Sequence, residues 1–196
     1  MNQFLQIPLK LLKINDPVAV LTYGIIDNQK TLNPFGNDVK EPVSCIAFET
    51  MHKKYDIRKA SAIDAVKTLK DNKFIDYKQI PTDRDKEVFN QYSFPVFGKD
   101  GKIKQLYKEV PSSVLSLDLT SKEKGVLIMF YLLSTDTTEI ILTDKEMAEM
   151  LGMSKRTLQK YIDFFINKGL LFKGKHHYAL KDVYNNNTNL EEVIIL

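Results

Sequence analysis

The apolar positions of this chain follow the same pattern twice, 96 residues apart. Apolar residues spaced three and four apart mark the buried face of a helix, and here two such stretches flank a short break. The pattern therefore predicts two copies of a helix, a turn and a second helix. The matched pairs are Met51 and Met147, Tyr55 and Leu151, Ile57 and Met153, Ala62 and Leu158, Val66 and Ile162, Leu69 and Phe165, Phe74 and Leu170, and Ile75 and Leu171.

A shorter motif precedes each copy. Residues 6–12 and 109–115 share the order apolar, Pro, two variable residues, apolar, Leu. An apolar run typical of a buried helix follows in each half, over 18–26 and 126–133. The offset between the halves is larger here than in the later helices. The first half must therefore contain a longer loop, which we place at 31–42 because of its Asn, Gly and Pro residues.

The second copy has well-marked helix boundaries. Thr143 and Glu146 have capping-box spacing, which predicts a helix start. Gly152 permits the left-handed backbone that ends a helix, and Ser154 is the expected cap of the next one.

The helix after this cap is predicted to have a buried apolar stripe and a basic outer face. Arginine and lysine side chains can bind guanine in the major groove, and glutamine can bind adenine. The pattern favours a helix that reads DNA. Its candidate DNA-binding residues are Ser154, Lys155, Arg156, Thr157, Gln159 and Lys160.

A basic β-hairpin is predicted at 170–180, where two short apolar strands flank a Lys-Gly-Lys tip. Lys173 and Lys175 are the candidate phosphate contacts of this hairpin. His176 and His177 follow, but no third ligand has suitable spacing, so we predict no metal site and no cofactor.

The motif from Ser154 to Lys160, followed by Lys-Gly-Leu-Leu at 168–171, resembles the winged-helix family of bacterial regulators and initiators. This resemblance covers 117–180 and implies binding to double-stranded DNA. Residues 4–80 are similar, more loosely, to the N-terminal domains of plasmid and phage replication initiators from low-GC bacteria.

The predicted fold class is α+β, mainly helical, with two tandem winged helix-turn-helix domains related by an internal repeat, a pseudo-dimer. We assign 1–97 to the first domain, 98–108 to a polar linker, 109–183 to the second domain and 184–196 to a C-terminal tail. At 196 residues the chain is long enough for each domain to have its own core.

The first copy departs from the second at the reading positions. Helices are predicted at 48–55 and 59–72, followed along the chain by a hairpin of strands 74–80 and 88–94. Its candidate DNA contacts are Arg58, Lys59, Ser61 and Lys67. Ala60, Ile63 and Asp64, however, occupy the positions of Arg156, Gln159 and Lys160. The alternative is that this module is a protein-interaction surface.

Charge and composition agree with a nucleic-acid partner. The net charge is only +3, but residues 153–181 contain seven basic residues against one acidic residue, and 53–78 contain eight against four. No run approaches the ~20 apolar residues that span a bilayer, and the N-terminus lacks a signal-peptide pattern. We expect a cytoplasmic protein with no membrane partner. Apolar neighbours predict that Cys45, the single cysteine, is buried.

Several functions are compatible with these features. We predict a transcription regulator encoded on a plasmid or phage, with a replication initiator and a protein–protein adaptor as alternatives. Replication or transcription machinery is a possible partner, and the protein is expected to be a monomeric pseudo-dimer or a homodimer. No phosphate-binding loop, nucleophile elbow or HExxH motif is present, so we predict no enzymatic activity and no catalytic residues.

Overall fold

The computed structural model describes residues 3–32, 42–81, 88–95 and 106–181, which form an α+β chain of helices and small antiparallel sheets. The first half begins with a strand and a 3-10 helix and continues through three α-helices to a hairpin. Its elements are β1 (Phe4–Pro8), the first 3-10 helix (Leu9–Ile14), α1 (Pro17–Asn28), β2 (Thr31–Leu32), β3 (Pro42–Cys45), α2 (Phe48–Tyr55), α3 (Lys59–Asp71), β4 (Asp76–Pro81) and β5 (Val88–Ser93).

The second half follows the same order of element types, with one short strand in place of β2 and β3. Its elements are β6 (Tyr107–Pro111), the second 3-10 helix (Ser112–Ser116), α4 (Ser121–Leu133), β7 (Glu139–Ile140), α5 (Asp144–Met150), α6 (Lys155–Asn167), β8 (Leu171–Lys173) and β9 (Tyr178–Leu180).

The predicted helix pairs are confirmed in both halves. Helices α3 and α6 each contain 13 residues and begin 96 positions apart. Left-handed backbone also recurs at this interval: Asp56 (φ 55°) corresponds to Gly152 (φ 60°), and Lys73 (φ 61°) to Gly169 (φ 64°). The turns before and after α3 therefore have the same backbone form as those around α6.

Helices α1 and α4 are apolar on nearly all sides and lie in the interior, as expected for helices without a polar face. Asp16 caps α1 by accepting hydrogen bonds from the amides of Val18 and Ala19. Thr120 caps α4 in a capping box with Glu123. Nineteen residues, 29–47, separate α1 from α2, whereas ten, 134–143, separate α4 from α5, which confirms the longer connection in the first half.

The two halves are joined by a β-ribbon and a helix pair. Strand β1 pairs antiparallel with β6, with Phe4 opposite Pro111 and Pro8 opposite Tyr107. Helix α1 packs on α4, and the buried side chains of both halves form one cluster. The halves, which were expected to be large enough for a core each, share one cluster of buried side chains in the described residues, because α1 and α4 bury one another.

A buried charged group anchors β1 to α1. Asp27 is fully buried, and its carboxylate accepts hydrogen bonds from the backbone amide of Gln6 (2.8 Å) and from Nζ of Lys30 (2.7 Å). Burial raises the pKa of Asp27, and the nearby Lys30 ammonium opposes that shift. These bonds hold the strand that crosses to the second half.

Each half also carries its own sheet, and both predicted hairpins are confirmed. The first sheet has the order β2-β3-β5-β4, and the second has the order β7-β9-β8. The sequence patterns did not predict β2, β3 or β7, which are only two to four residues long.

One side-chain prediction is wrong. Cys45 is exposed, because it ends β3 on the face opposite the buried Ser44. Most of the predicted loop at 31–42, the tip of the first hairpin, most of the predicted linker and the tail from 184 lie outside the described residues. Strand β6 begins at Tyr107, within the range assigned to the linker. Among the described helices, none has the length and apolar character needed to cross a membrane.

Candidate nucleic-acid interface

The start of α6 is fixed by two successive caps. Thr143 and Glu146 form the predicted capping box at the start of α5. The chain then turns at Gly152, and Ser154 Oγ accepts a hydrogen bond from the backbone amide of Thr157 (3.1 Å). The angle between α5 and α6 is therefore set by local hydrogen bonds and one left-handed residue.

The inner face of α6 is locked into the core. Leu158, Ile162 and Phe165 are fully buried. The ring of Phe165 meets that of Phe130 on α4 edge to face, with centroids 5.4 Å apart, and it stacks on Tyr161 at 6.1 Å. These contacts stabilise one rotation of the helix about its axis and so decide which residues face outward.

The outer face of α6 carries the predicted basic residues. Lys155, Arg156, Thr157 and Lys160 are exposed, as the sequence predicted. Within the described residues, none of the three basic side chains forms an ion pair. Gln159 is half-buried, and its amide nitrogen donates a hydrogen bond to Asp163 Oδ1 (2.8 Å). This amide must exchange that partner before it can bind a base edge.

The hairpin beside α6 presents two lysines. Lys173 and Lys175 are exposed at and near its tip, where the amide of Gly174 donates to the carbonyl of His177 (2.9 Å). The ring of His177 lies where a Cβ on Gly174 would be, so a larger residue at this position would displace that ring.

A hydrogen bond that the sequence did not reveal holds this hairpin against α5. The hydroxyl of Tyr178 on β9 donates to Oδ1 of Asp144, the first residue of α5, at 2.9 Å. Burial, followed by the contact with Asp144, raises the pKa of Tyr178 to about 12. Hairpin and helix pair are thus held together, and only a three-dimensional contact between residues 34 positions apart could show it.

Helix α3 has the same geometry with different chemistry on its outer face. Ala62, Val66 and Leu69 form the buried stripe, while Ala60, Ile63 and Asp64 face outward. Ile63 is 44% exposed and places an apolar side chain where α6 carries Gln159.

Positive charge remains at the start of α3. Arg58, Lys59 and Lys67 are exposed, and Ser61 is half-buried. Arg58 occupies the cap position but gives no side-chain cap, so the first backbone amides of α3 lack the partner that Ser154 supplies in α6. Basic side chains at a helix start that has no side-chain cap suit a phosphate group.

The histidines of the second hairpin do not form part of a metal site in the described structure. Across residues 3–32, 42–81, 88–95 and 106–181, no group of three or more His, Cys, Asp or Glu side chains is arranged to hold a metal ion.

No protein family, curated protein or solved structure gives a significant match to this chain. The class that the coordinates define is an α+β chain with two similar helix pairs, each followed by a hairpin.

Proposed function

We propose that the protein binds double-stranded DNA with sequence specificity through two winged helix-turn-helix modules in one polypeptide. The observation that carries the proposal is the outer face of α6. Lys155, Arg156 and Lys160 are exposed there without ion-pair partners among the described residues, on a helix whose opposite face is fully buried.

The dimensions of this helix suit the major groove. A helix of 13 residues is about 20 Å long, and with side chains it is about 10–12 Å wide. The major groove of B-DNA is about 12 Å wide. The first turn of such a helix reaches the base edges, where Arg156 can pair with guanine and Gln159 with adenine.

The remaining basic residues suit phosphate contacts. Lys173 and Lys175 are exposed on the hairpin. Arg58 precedes α3, and Lys59 and Lys67 are exposed on it. Contacts to phosphate set the position and orientation of a protein on the duplex but carry little sequence information.

A second candidate applies to α3 alone. Ile63 is exposed on its outer face, in the same part of the helix as a small residue, Ala60, and an acidic one, Asp64. An apolar side chain in this place suits either a thymine methyl group or the apolar surface of a protein partner.

Selection from a pool of random duplexes tests the proposal. The purified chain is incubated with the pool at stated salt, bound duplexes are sequenced, and affinity is compared with scrambled duplexes of the same composition. We expect a site bound at least a thousandfold more tightly than scrambled DNA, as is typical of specific readers. Equal affinity for selected and scrambled duplexes would exclude sequence-specific binding.

The location of the selected site then distinguishes the two cellular roles. A site that overlaps a promoter supports transcription regulation, and an array of sites beside an AT-rich segment supports replication initiation. If a protein partner binds the surface around Ile63 while α6 still binds DNA, the result supports the adaptor role for the first module.

A further inference from the structure

The β-ribbon pairs equivalent residues of the two halves with each other. Gln6 and Glu109 hold the same place in the two opening motifs, two residues before Pro8 and Pro111, and they lie directly opposite one another in the ribbon. An antiparallel pair has a local two-fold axis at any such pair. This axis therefore exchanges β1 with β6 in the register that also matches their sequences.

The central helices meet at equivalent positions too. A Cβ on Gly24 of α1 would lie 3.6 Å from Cδ1 of Ile128 on α4. Each of these residues lies eight positions after the capping residue of its helix, Asp16 or Thr120. Where a two-fold axis passes between two copies, equivalent residues meet each other at that axis.

The turns within the helix pairs lie beside residues of the other half. Gly152, in the turn before α6, has the side chain of Asn15 from the first half where its own Cβ would be. In the other direction, Asp56 in the turn before α3 lies near Lys124 of α4. Burial lowers the pKa of Lys124, and the nearby Asp56 carboxylate opposes this shift. The turn before α6 therefore packs against the first half, and the turn before α3 lies within electrostatic range of the second.

We propose that the two halves are related by a local two-fold axis between Gln6 and Glu109, and that the protein reads two half-sites in inverted orientation on one duplex. The proposal rests on the proposed DNA-binding function. Dimeric readers with two-fold symmetry bind sites of matching symmetry. Here the two reading faces differ, so the natural site has two half-sites in inverted orientation but of unlike sequence. Its base sequence is therefore not palindromic.

Making the two reading faces alike exposes that symmetry. The substitutions Ala60→Arg, Ser61→Thr, Ile63→Gln and Asp64→Lys give α3 the outer residues of α6, and none of the replaced side chains is fully buried. The reciprocal variant carries Arg156→Ala, Thr157→Ser, Gln159→Ile and Lys160→Asp on α6. Each variant is selected against random duplexes, and its melting temperature is compared with that of the unchanged chain.

We expect the first variant to select an inverted repeat of the half-site that α6 reads in the unchanged chain. The reciprocal variant should select an inverted repeat of the other half-site. On synthetic duplexes, each variant should bind its inverted repeat at least tenfold more tightly than the direct repeat with the same spacing. The second variant decides the question if the first one does not fold.

Three results would overturn this arrangement. A direct repeat bound as well as the inverted one, or a single half-site bound as tightly as the pair, shows that the modules are not placed as a two-fold pair on the duplex. Loss of all binding by folded variants would do the same. By contrast, an unchanged chain that selects no site at all rejects the proposed function itself, and the inverted arrangement with it.

Discussion

At the scale of single residues, Arg156 is the side chain that tests base readout most directly. It is exposed in the first turn of α6 and has no ion-pair partner among the described residues. Arg156→Ala should cost about 1–3 kcal/mol on the selected site and relax the preference at one base pair. Titration of the selected duplex and of every single-base variant measures both effects.

The matched control is Lys168→Ala, which removes the same charge at the far end of the helix. Lys168 is the C-cap residue of α6 and lies against the ring of Phe164. The Lys168→Ala substitution should weaken binding to selected and scrambled duplexes alike, with no change in base preference. An Arg156→Ala variant that behaves in this way as well would show that Arg156 contacts only phosphate.

Glu146 gives α5 a cap that depends on pH. Hydrogen bonds from the backbone amide and the hydroxyl of Thr143 lower the pKa of the Glu146 carboxyl. A lowered pKa contributes stability that is present above the ordinary value and is lost as pH falls through the folded value. Glu146→Gln keeps the capping pattern without the charge. The melting-temperature advantage of the unchanged chain over this variant should shrink between pH 6 and pH 3, whereas a constant difference contradicts the prediction.

At the scale of elements, the contact between α1 and α4 depends on one glycine. A Cβ on Gly125 would overlap the backbone carbonyl of Pro17, which has no rotamer with which to move aside. Although alanine favours a helix by about 1 kcal/mol over glycine, Gly125→Ala should destabilise the protein by about 3 kcal/mol or more because the two helices must separate.

Gly169→Ala is the comparison for this substitution. Gly169 has φ of 64°, but a Cβ there would have no neighbour within 4 Å among the described residues. Only backbone strain acts, and it costs about 1–2 kcal/mol. Urea denaturation of the two variants measures the difference, and a Gly125→Ala variant as stable as Gly169→Ala would show that the helices tolerate a wider separation.

The hairpin of the second half is expected to contact the DNA backbone. Each lost phosphate contact lowers the slope of log affinity against log salt by about 0.9. Lys173→Ala combined with Lys175→Ala should therefore reduce the slope by roughly 1.8. Lys13→Ala combined with Lys122→Ala removes two other exposed charges as the control. If both pairs change the slope equally, the hairpin makes no phosphate contact.

At the scale of the whole molecule, the shared core should hold the halves together without the connecting chain. The β1–β6 ribbon and the packing of α1 on α4 join the halves independently of residues 98–105. A protease site inserted in that range and cut after purification should leave one complex on size exclusion. This complex should bind the selected site within about tenfold of the intact chain.

Halves joined only by a tether would behave differently. They would separate on cleavage and lose the avidity of a linked pair, which is about 10² to 10⁴. Separation, or a loss of that size, would show that the shared interface is too weak to orient the two modules.

The sequence alone determined the elements of each half. The caps at Thr143 and Ser154, the left-handed turn at Gly152 and the apolar stripe of α6 are local features, since hydrogen bonding and helical periodicity act within a few residues. For the same reason the sequence placed α2, α3 and the start of α6 to within one residue. It also identified which basic residues would be exposed on α6.

Only the tertiary structure decided how the halves are joined. Strands of five residues such as β1 and β6 carry too few alternations to predict a partner, and Gln6 pairs with a residue 103 positions away. Two all-apolar helices also fit two separate cores or one shared core equally well by pattern. The choice follows from shape: Gly125 lets α1 and α4 approach closely enough to bury each other. Such close approach depends on both surfaces at once, and so no local pattern in the sequence encodes it.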